Sequence, residues 1–194
     1  MISLAKELRK LGIVKKGKFI LTSGKTSDFY IDMKKVLGHP KVSELIYNEL
    51  SKIIDPVKRR GRHGASKKAT CIASIGYGGL PLAARVSLKL GLPLTVVREK
   101  PRKHGLKNLI DGYVPTEKDK IAIVDDVFTM GTSMAKIIKA LNKTGAKIIA
   151  GYVVVNRGEV SKFIIPIKSL LTAEKLTLQN NLKDYHEVNP VAAS

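Results

Sequence analysis

Asp125 and Asp126 close the apolar run Ile121–Val124, and Thr129, Gly131, Thr132 and Ser133 follow almost at once. Two like charges side by side where a chain leaves a buried strand are costly, so they require partners. A diol donates from both of its hydroxyls, and a ribose carries such a pair. A Mg²⁺ ion near the two acids offsets their repulsion, directly or through water. Gly131 lets the backbone turn so that successive N–H groups converge, while the three hydroxyls and the start of a helix complete an anion cradle. The segment IAIVDDVFTMGTS, Ile121 to Ser133, therefore reads as strand, loop and helix start gripping a phosphorylated ribose. The chain has neither G-x-x-x-x-G-K-[ST] nor G-x-G-x-x-G after a strand, which excludes a P-loop and a dinucleotide fingerprint.

Three further segments carry chemistry. VVREKPRKHGLKN, Val96 to Asn108, gathers basic groups around Gly105 with no apolar face, as expected of a loop able to close over a pyrophosphate. Arg157 follows the apolar run VVVN, and a guanidinium at the carboxyl end of a strand can pair bidentately with a carboxylate. IGYGGLP, Ile75 to Pro81, reads as a loop whose glycines present backbone N–H groups.

The elements that hold these segments follow from hydrophobic pattern. ATCIASIG, GLPLAARVSLKLG and LPLTVVRE read as strand, helix and strand; KIAIVDDV, TSMAKIIKALNKTG and AKIIAGYVVVN repeat the pattern. Uninterrupted β-branched runs indicate strands buried on both faces, hence a doubly wound parallel sheet of the α/β class. Ligands of such sheets bind beyond the carboxyl ends of the strands, where all of the segments above fall. Leu4, Leu8 and Leu11 predict a short first helix. GKFILTSGKTSDFYIDMK predicts two short strands with turn signals at Ser23-Gly24 and Ser27-Asp28. Val42, Leu45, Ile46, Leu50 and Ile53 form the apolar face of another helix, and the C-terminal segment reads as one more strand and a helix. With 194 residues we expect one domain, 1–194, with a core over 40–160 and a small hood formed by 1–38 and the C-terminal segment.

IVDDVFTMGTS resembles the signature of type I phosphoribosyltransferases. The resemblance implies that fold, and implies that the two acids hold the ribose hydroxyls of 5-phosphoribosyl 1-pyrophosphate (PRPP) while the following loop holds its 5′-phosphate. It thus assigns Asp125, Asp126, Val127, Phe128, Thr129, Met130, Gly131, Thr132 and Ser133 to PRPP. Mg²⁺ is then the implied cofactor, bound mainly through PRPP, with Asp125 and Asp126 as its candidate protein contacts.

FILTSGKTSDFYID is similar to the hairpin that covers the orotate pocket of orotate phosphoribosyltransferases. By that resemblance Tyr30 and Ile31 line the pocket with Thr129, and Arg157 binds orotate. The family often has Pro where Asp28 stands and an aromatic where Ile31 stands. VVREKPRKHGLKN resembles the family's catalytic loop, which places Arg98, Arg102 and His104 at PRPP-binding positions. Glu99 stands where a catalytic Lys is usual; Lys100, one residue later, and Lys103 are the candidates for its role. Tyr77 and Gly78 match the family's pyrophosphate-side loop, although some members have Lys at the Gly78 position. The implied catalytic set is Asp125, facing positive charge on the ribose ring, with Lys100, Arg102, Lys103 and His104 neutralising the pyrophosphate. The implied partners are PRPP, orotate and a second copy of the chain, a homodimer sharing its catalytic loop.

The net charge of +19 attracts polyanions in general and does not choose among them. It leaves two rivals: a purine phosphoribosyltransferase, and a nucleic-acid-binding regulator on the same fold, motivated by the basic run Lys58 to Lys68. The second lacks an appended helix-turn-helix pattern. Charges are spaced through the N-terminus, and no apolar stretch is long enough for a membrane helix, so a cytoplasmic location is expected. The single cysteine, Cys71, lies in an apolar run and reads as a small buried hydrophobe.

Overall fold

The computed structural model describes residues 4–20, 24, 26–55, 69–101 and 108–177. Helix α1 (Leu4–Lys10) leads into an antiparallel hairpin of β1 (Val14–Ile20) and β2 (Thr26–Ile31). Its register slips between Lys16 and Phe19, where Gly17 adopts a φ of 143° that side chains avoid. Ser27 and Asp28, expected in a turn, lie inside β2 instead. There the Ser27 hydroxyl satisfies its own strand, donating to the Phe29 carbonyl at 2.7 Å.

Helix α2 (Pro40–Ile54) begins at a proline, which loses no hydrogen bond at the first helical position. It buries Val42, Ile46, Leu50 and Ile54, one row four residues apart, and packs on the helix that follows β3.

The central sheet has six strands in the order β5-β4-β3-β6-β7-β8. These are β3 (Cys71–Ile75), β4 (Leu94–Val97), β5 (Ile110–Gly112), β6 (Lys120–Phe128), β7 (Lys147–Asn156) and β8 (Ile167–Thr172). All neighbours pair in parallel except β5, a short antiparallel edge on β4. Helix α3 (Gly76–Leu90) joins β3 to β4, and α4 (Thr132–Leu141) joins β6 to β7. Along β6 the side chains alternate between two cores. Ala122 and Val124 pack with α2 and α3, whereas Ile121 and Ile123 pack with Met134, Ile137 and Leu141 of α4. That alternation is the physical content of the doubly wound expectation. Helix α5 (Ala173–Thr177) packs on α1, and Arg9 donates to the Lys175 carbonyl at 3.0 Å.

Three further local readings change. Gly76–Pro81 is helix rather than loop, because α3 starts immediately after β3. Glycines and an internal proline are poor helix formers, and here they sit in the first turns, where close approach to β6 outweighs propensity. Asp125 and Asp126 lie within β6, not past its end, since Asp125 pairs with Val153 and the ladder continues to Phe128. Finally, part of the basic stretch and its sequel is sheet edge: Arg98 N donates to the Leu109 carbonyl at 2.8 Å, and β5 follows. A three-residue strand carries too little pattern to be read from sequence.

Candidate active site

Strand β3 connects through α3 to β4 on one side, while β6 leads through α4 to β7 and β8 on the other. The switch point therefore lies between the carboxyl ends of β3 and β6, and the helices that start there lie on opposite faces of the sheet. Asp125 and Asp126 occupy that point.

The first turn of α3 presses onto the acid pair. A Cβ at Gly79 would lie 2.6 Å from Asp125 Oδ1 and 2.7 Å from Ser74 Oγ, and one at Gly78 would overlap the Asp126 carboxylate. A side chain at either position would force the acid pair to shift, most of all at Gly79, where the Asp125 backbone is also within 2.9 Å. Asp125 Oδ1 accepts from Asp126 N at 2.9 Å, and Asp126 Oδ1 accepts from Val127 N at 2.8 Å. Burial drives the Asp125 carboxyl well above the usual carboxylate range, and the charge of Asp126 adds to the rise. Burial raises Asp126 as well, with the Val127 amide drawing it back first and Lys34 least. Two carboxyls held so close share their protons, and a ligand that donates hydrogen bonds or brings positive charge favours their ionised form.

Gly131, at φ 74° and ψ 16°, turns the chain from β6 into α4. No side chain caps this helix, so the first amides of α4 stay open to a ligand. Thr132 and Ser133 are exposed beside them.

A cavity of about 350 Å³ unites these groups, lined by Asp125 through Met134 together with Ile20, Tyr30, Ile31 and Arg157. That volume suits a small polar ligand. Arg157 is poised by the hairpin: its Nη2 donates to Ser27 Oγ, and its Cζ stands 4.0 Å from the centre of the Phe29 ring. Burial lowers the Arg157 pKa from its ordinary value, which marks the guanidinium as partly dehydrated and responsive to an anion.

The structure thus brings together Asp125 to Ser133, Tyr30, Ile31 and Arg157. Other expected residues stand apart from this cavity. Gly78 touches Asp126 from the α3 side, while Tyr77 is 86% exposed. Arg98, expected at a PRPP-binding position, has its Nη1 bound to Asp111 Oδ2 at 2.6 Å on the β4–β5 edge. Glu99 lies near Gly76 at the start of α3, and Lys100 is exposed. Arg102, Lys103, His104 and the run Lys58 to Lys68 lie outside the described residues. Sequence reading took Ser27 only as a turn signal and Gly79 only as one of the glycines of Ile75–Pro81, and it passed over Lys34, Phe29, Gly158 and Phe163. Of these only Gly158, directly after Arg157, carried a signal, a glycine at the exit of a core strand.

Among the described residues no group of three or more acids, histidines or cysteines could hold a metal, and no helix is long and apolar enough to cross a membrane.

The phosphoribosyl transferase domain family matches residues 46–186. The orotate phosphoribosyltransferase of Methanocaldococcus jannaschii is 36% identical over 157 residues, 80% of this chain and 81% of the relative. That of Aeropyrum pernix is 37% identical over 156 residues, 80% of this chain and 78% of the relative. The crystal structure of orotate phosphoribosyltransferase from Aeropyrum pernix aligns with a TM-score of 0.71 at 30% identity, covering 90% of this chain and 96% of that one. The chain belongs to the phosphoribosyl transferase domain family and, within it, to the orotate phosphoribosyltransferases.

Proposed function

We propose that the chain transfers the 5-phosphoribosyl group of PRPP to orotate, giving orotidine 5′-monophosphate and pyrophosphate, with each step assigned to residues of one cavity. The observation that carries this assignment is that Arg157 faces the same cavity as Asp125, Asp126 and the open start of α4. The 5′-phosphate binds at Thr129–Ser133, and the ribose hydroxyls donate to Asp125 and Asp126. Orotate docks against Tyr30, Ile31 and Thr129 with its carboxylate on Arg157, a pairing that neutral purines cannot make. The bond from ribose C1 to pyrophosphate then breaks with its electron pair on the leaving group, and a bond from C1 to the orotate ring nitrogen forms as that nitrogen's proton passes to the departing pyrophosphate. The nearby Asp125 carboxylate stabilises positive charge on the ribose ring. Lys100, together with Arg102, Lys103 and His104, meets the leaving pyrophosphate.

Mg²⁺ fits this site as a companion of PRPP: two carboxylates and substrate phosphates are its usual partners, and no denser cage is found among the described residues. When bound, it neutralises phosphate charge. The 35 basic against 16 acidic residues favour encounter with such polyanions. A single domain, a hood built from 1–38 with the C-terminal segment, and a homodimer complete the reading. Exposure of the apolar side chains Leu45 on α2 and Tyr77 and Leu88 on α3 supports the dimer in this reading.

The test is loss of orotate absorbance with PRPP and Mg²⁺, repeated without each component and with hypoxanthine or adenine in place of orotate. Consumption of orotate only in the complete mixture is expected. A flat trace overturns the assignment.

A further inference from the structure

The loop that turns from β6 into α4 has no side-chain cap of its own, yet its conformation must be set if amides are to converge on a phosphate. Its support comes from the connection between β7 and β8. Arg157 N donates to the Phe128 carbonyl at 2.8 Å. Gly158 lies directly on the Thr129 carbonyl, so close that a Cβ there would overlap the oxygen. The Phe163 ring covers Gly131, where a Cβ would overlap it, and meets Phe128 edge to face with centroids 5.2 Å apart at 81°. The connection is itself fixed: Gly158 N donates to Asn156 Oδ1 at 3.0 Å, and Phe163 N donates to the Val160 carbonyl at 3.2 Å. Val160, Phe163 and Ile165 pack into the core that α4 shares.

We propose that Gly158 and Phe163 are positioning residues for the phosphate-facing loop Phe128–Gly131, and that they hold this loop at a set distance from Arg157. This rests on the phosphoribosyl reading of the site. Phe163 prevents Gly131 from relaxing outward, and Gly158 lets the chain leaving Arg157 run against Thr129. The loop and the guanidinium thereby belong to one packed unit, and the gap between the 5′-phosphate and the acceptor carboxylate is defined by packing. Reacting atoms must be aligned within fractions of an ångström, so the unit bears on turnover as well as on binding.

The test compares Phe163→Ala, Phe163→Leu and Gly158→Ala with Ile165→Ala, which disturbs the same core from the same connection without being among the residues against the loop. Affinity for ribose 5-phosphate is measured by calorimetry, KM for PRPP and for orotate by steady-state kinetics, and stability by melting. Phe163→Ala and Gly158→Ala should weaken ribose 5-phosphate and raise KM for PRPP by about tenfold or more, on the scale of small misplacements at a site. In Phe163→Ala KM for orotate should stay within about twofold, because Ser27 and Phe29 still hold Arg157, whereas Gly158→Ala, pressed on Thr129 beside Arg157, should raise it as well. Phe163→Leu should recover most of the affinity, and Ile165→Ala should lower the melting temperature while leaving affinity unchanged. Equal loss of affinity in Ile165→Ala, or Phe163→Ala within twofold of the parent, overturns the proposal. A parent protein that binds no ribose 5-phosphate sinks the phosphoribosyl reading and this proposal with it. Binding without orotate consumption sinks only the choice of base.

Discussion

Gly79 and Asp125 meet across the switch point of the sheet, with room for no atom between the glycine Cα and the carboxylate. The contact joins the first turn of α3 to the middle of β6, and it is flanked by Ser74, whose hydroxyl donates to the Val124 carbonyl at 2.7 Å. Gly79, Asp125, Ser74 and Val124 are all buried, and a Cβ at Gly79 would also crowd the Asp125 backbone at 2.9 Å.

Gly79→Ala should therefore lower stability by roughly 1–3 kcal/mol, the usual cost of overpacking, and should also lower turnover because Asp125 is displaced. Chemical denaturation and orotate consumption measure the two effects. A stable variant with unchanged turnover would show that the strand shifts freely.

Asp126→Asn should stabilise the ligand-free protein at neutral pH while weakening PRPP binding. Burial raises the folded pKa of this acid above its ordinary 3.8, so its contribution is fully present below 3.8 and is lost as pH rises through the folded value. The amide keeps an oxygen for Val127 N and removes the charge. A gain of about 1 kcal/mol corresponds to roughly 2–4 °C in a domain of this size. Melting curves across the acid-to-neutral range should show parent and variant diverging as pH increases. Parallel curves would contradict the raised pKa.

Arg157→Lys should raise KM for orotate by about thirtyfold or more, since loss of a bidentate charge-assisted pair is worth roughly 2 kcal/mol. The lysine ammonium also loses the planar stack on Phe29, 4.0 Å from the guanidinium carbon. KM for PRPP should move little, because the phosphate loop is built from other residues. Equal rises in both would place Arg157 outside the orotate subsite.

Asp119→Asn should destabilise the protein without altering the site, at the far end of the sheet. Asp119 accepts from Thr70 Oγ1 at 2.7 Å, Tyr113 Oη at 2.9 Å and Thr116 N at 2.8 Å. The Thr116 amide first, then the Thr70 hydroxyl, holds its pKa down to about 2, from 3.8. For a lowered acid the stabilisation is present above 3.8 and fades as pH falls toward 2. An amide cannot accept from all three donors, and one unmet buried group costs about 1–3 kcal/mol. Melting at pH 7 and pH 3 should show the difference between parent and variant shrinking in acid, with KM for both substrates unchanged.

What sequence alone determined here is what short-range chemistry dictates. Apolar β-branched runs specify strands buried on both faces, and the order of strands and helices then specifies a doubly wound sheet with its ligand end at the strand termini. Asp125, Asp126 and the hydroxyls about Gly131 announce a phosphorylated ribose because adjacent charges and a glycine turn have few other uses at that place. Arg157 stood out in the sequence as a guanidinium directly after a core strand, and the fold sets it against the same cavity. Tertiary structure decided what depends on residues far apart in the chain. Gly78 and Gly79 form helix because β6 presses against them, whereas their own propensities point to a loop. Arg98 turns to Asp111 because a three-residue edge strand, too short to leave a pattern, brings that acid alongside. The hold of Phe163 on Gly131 spans helix α4 and strand β7, and only the folded sheet closes that distance.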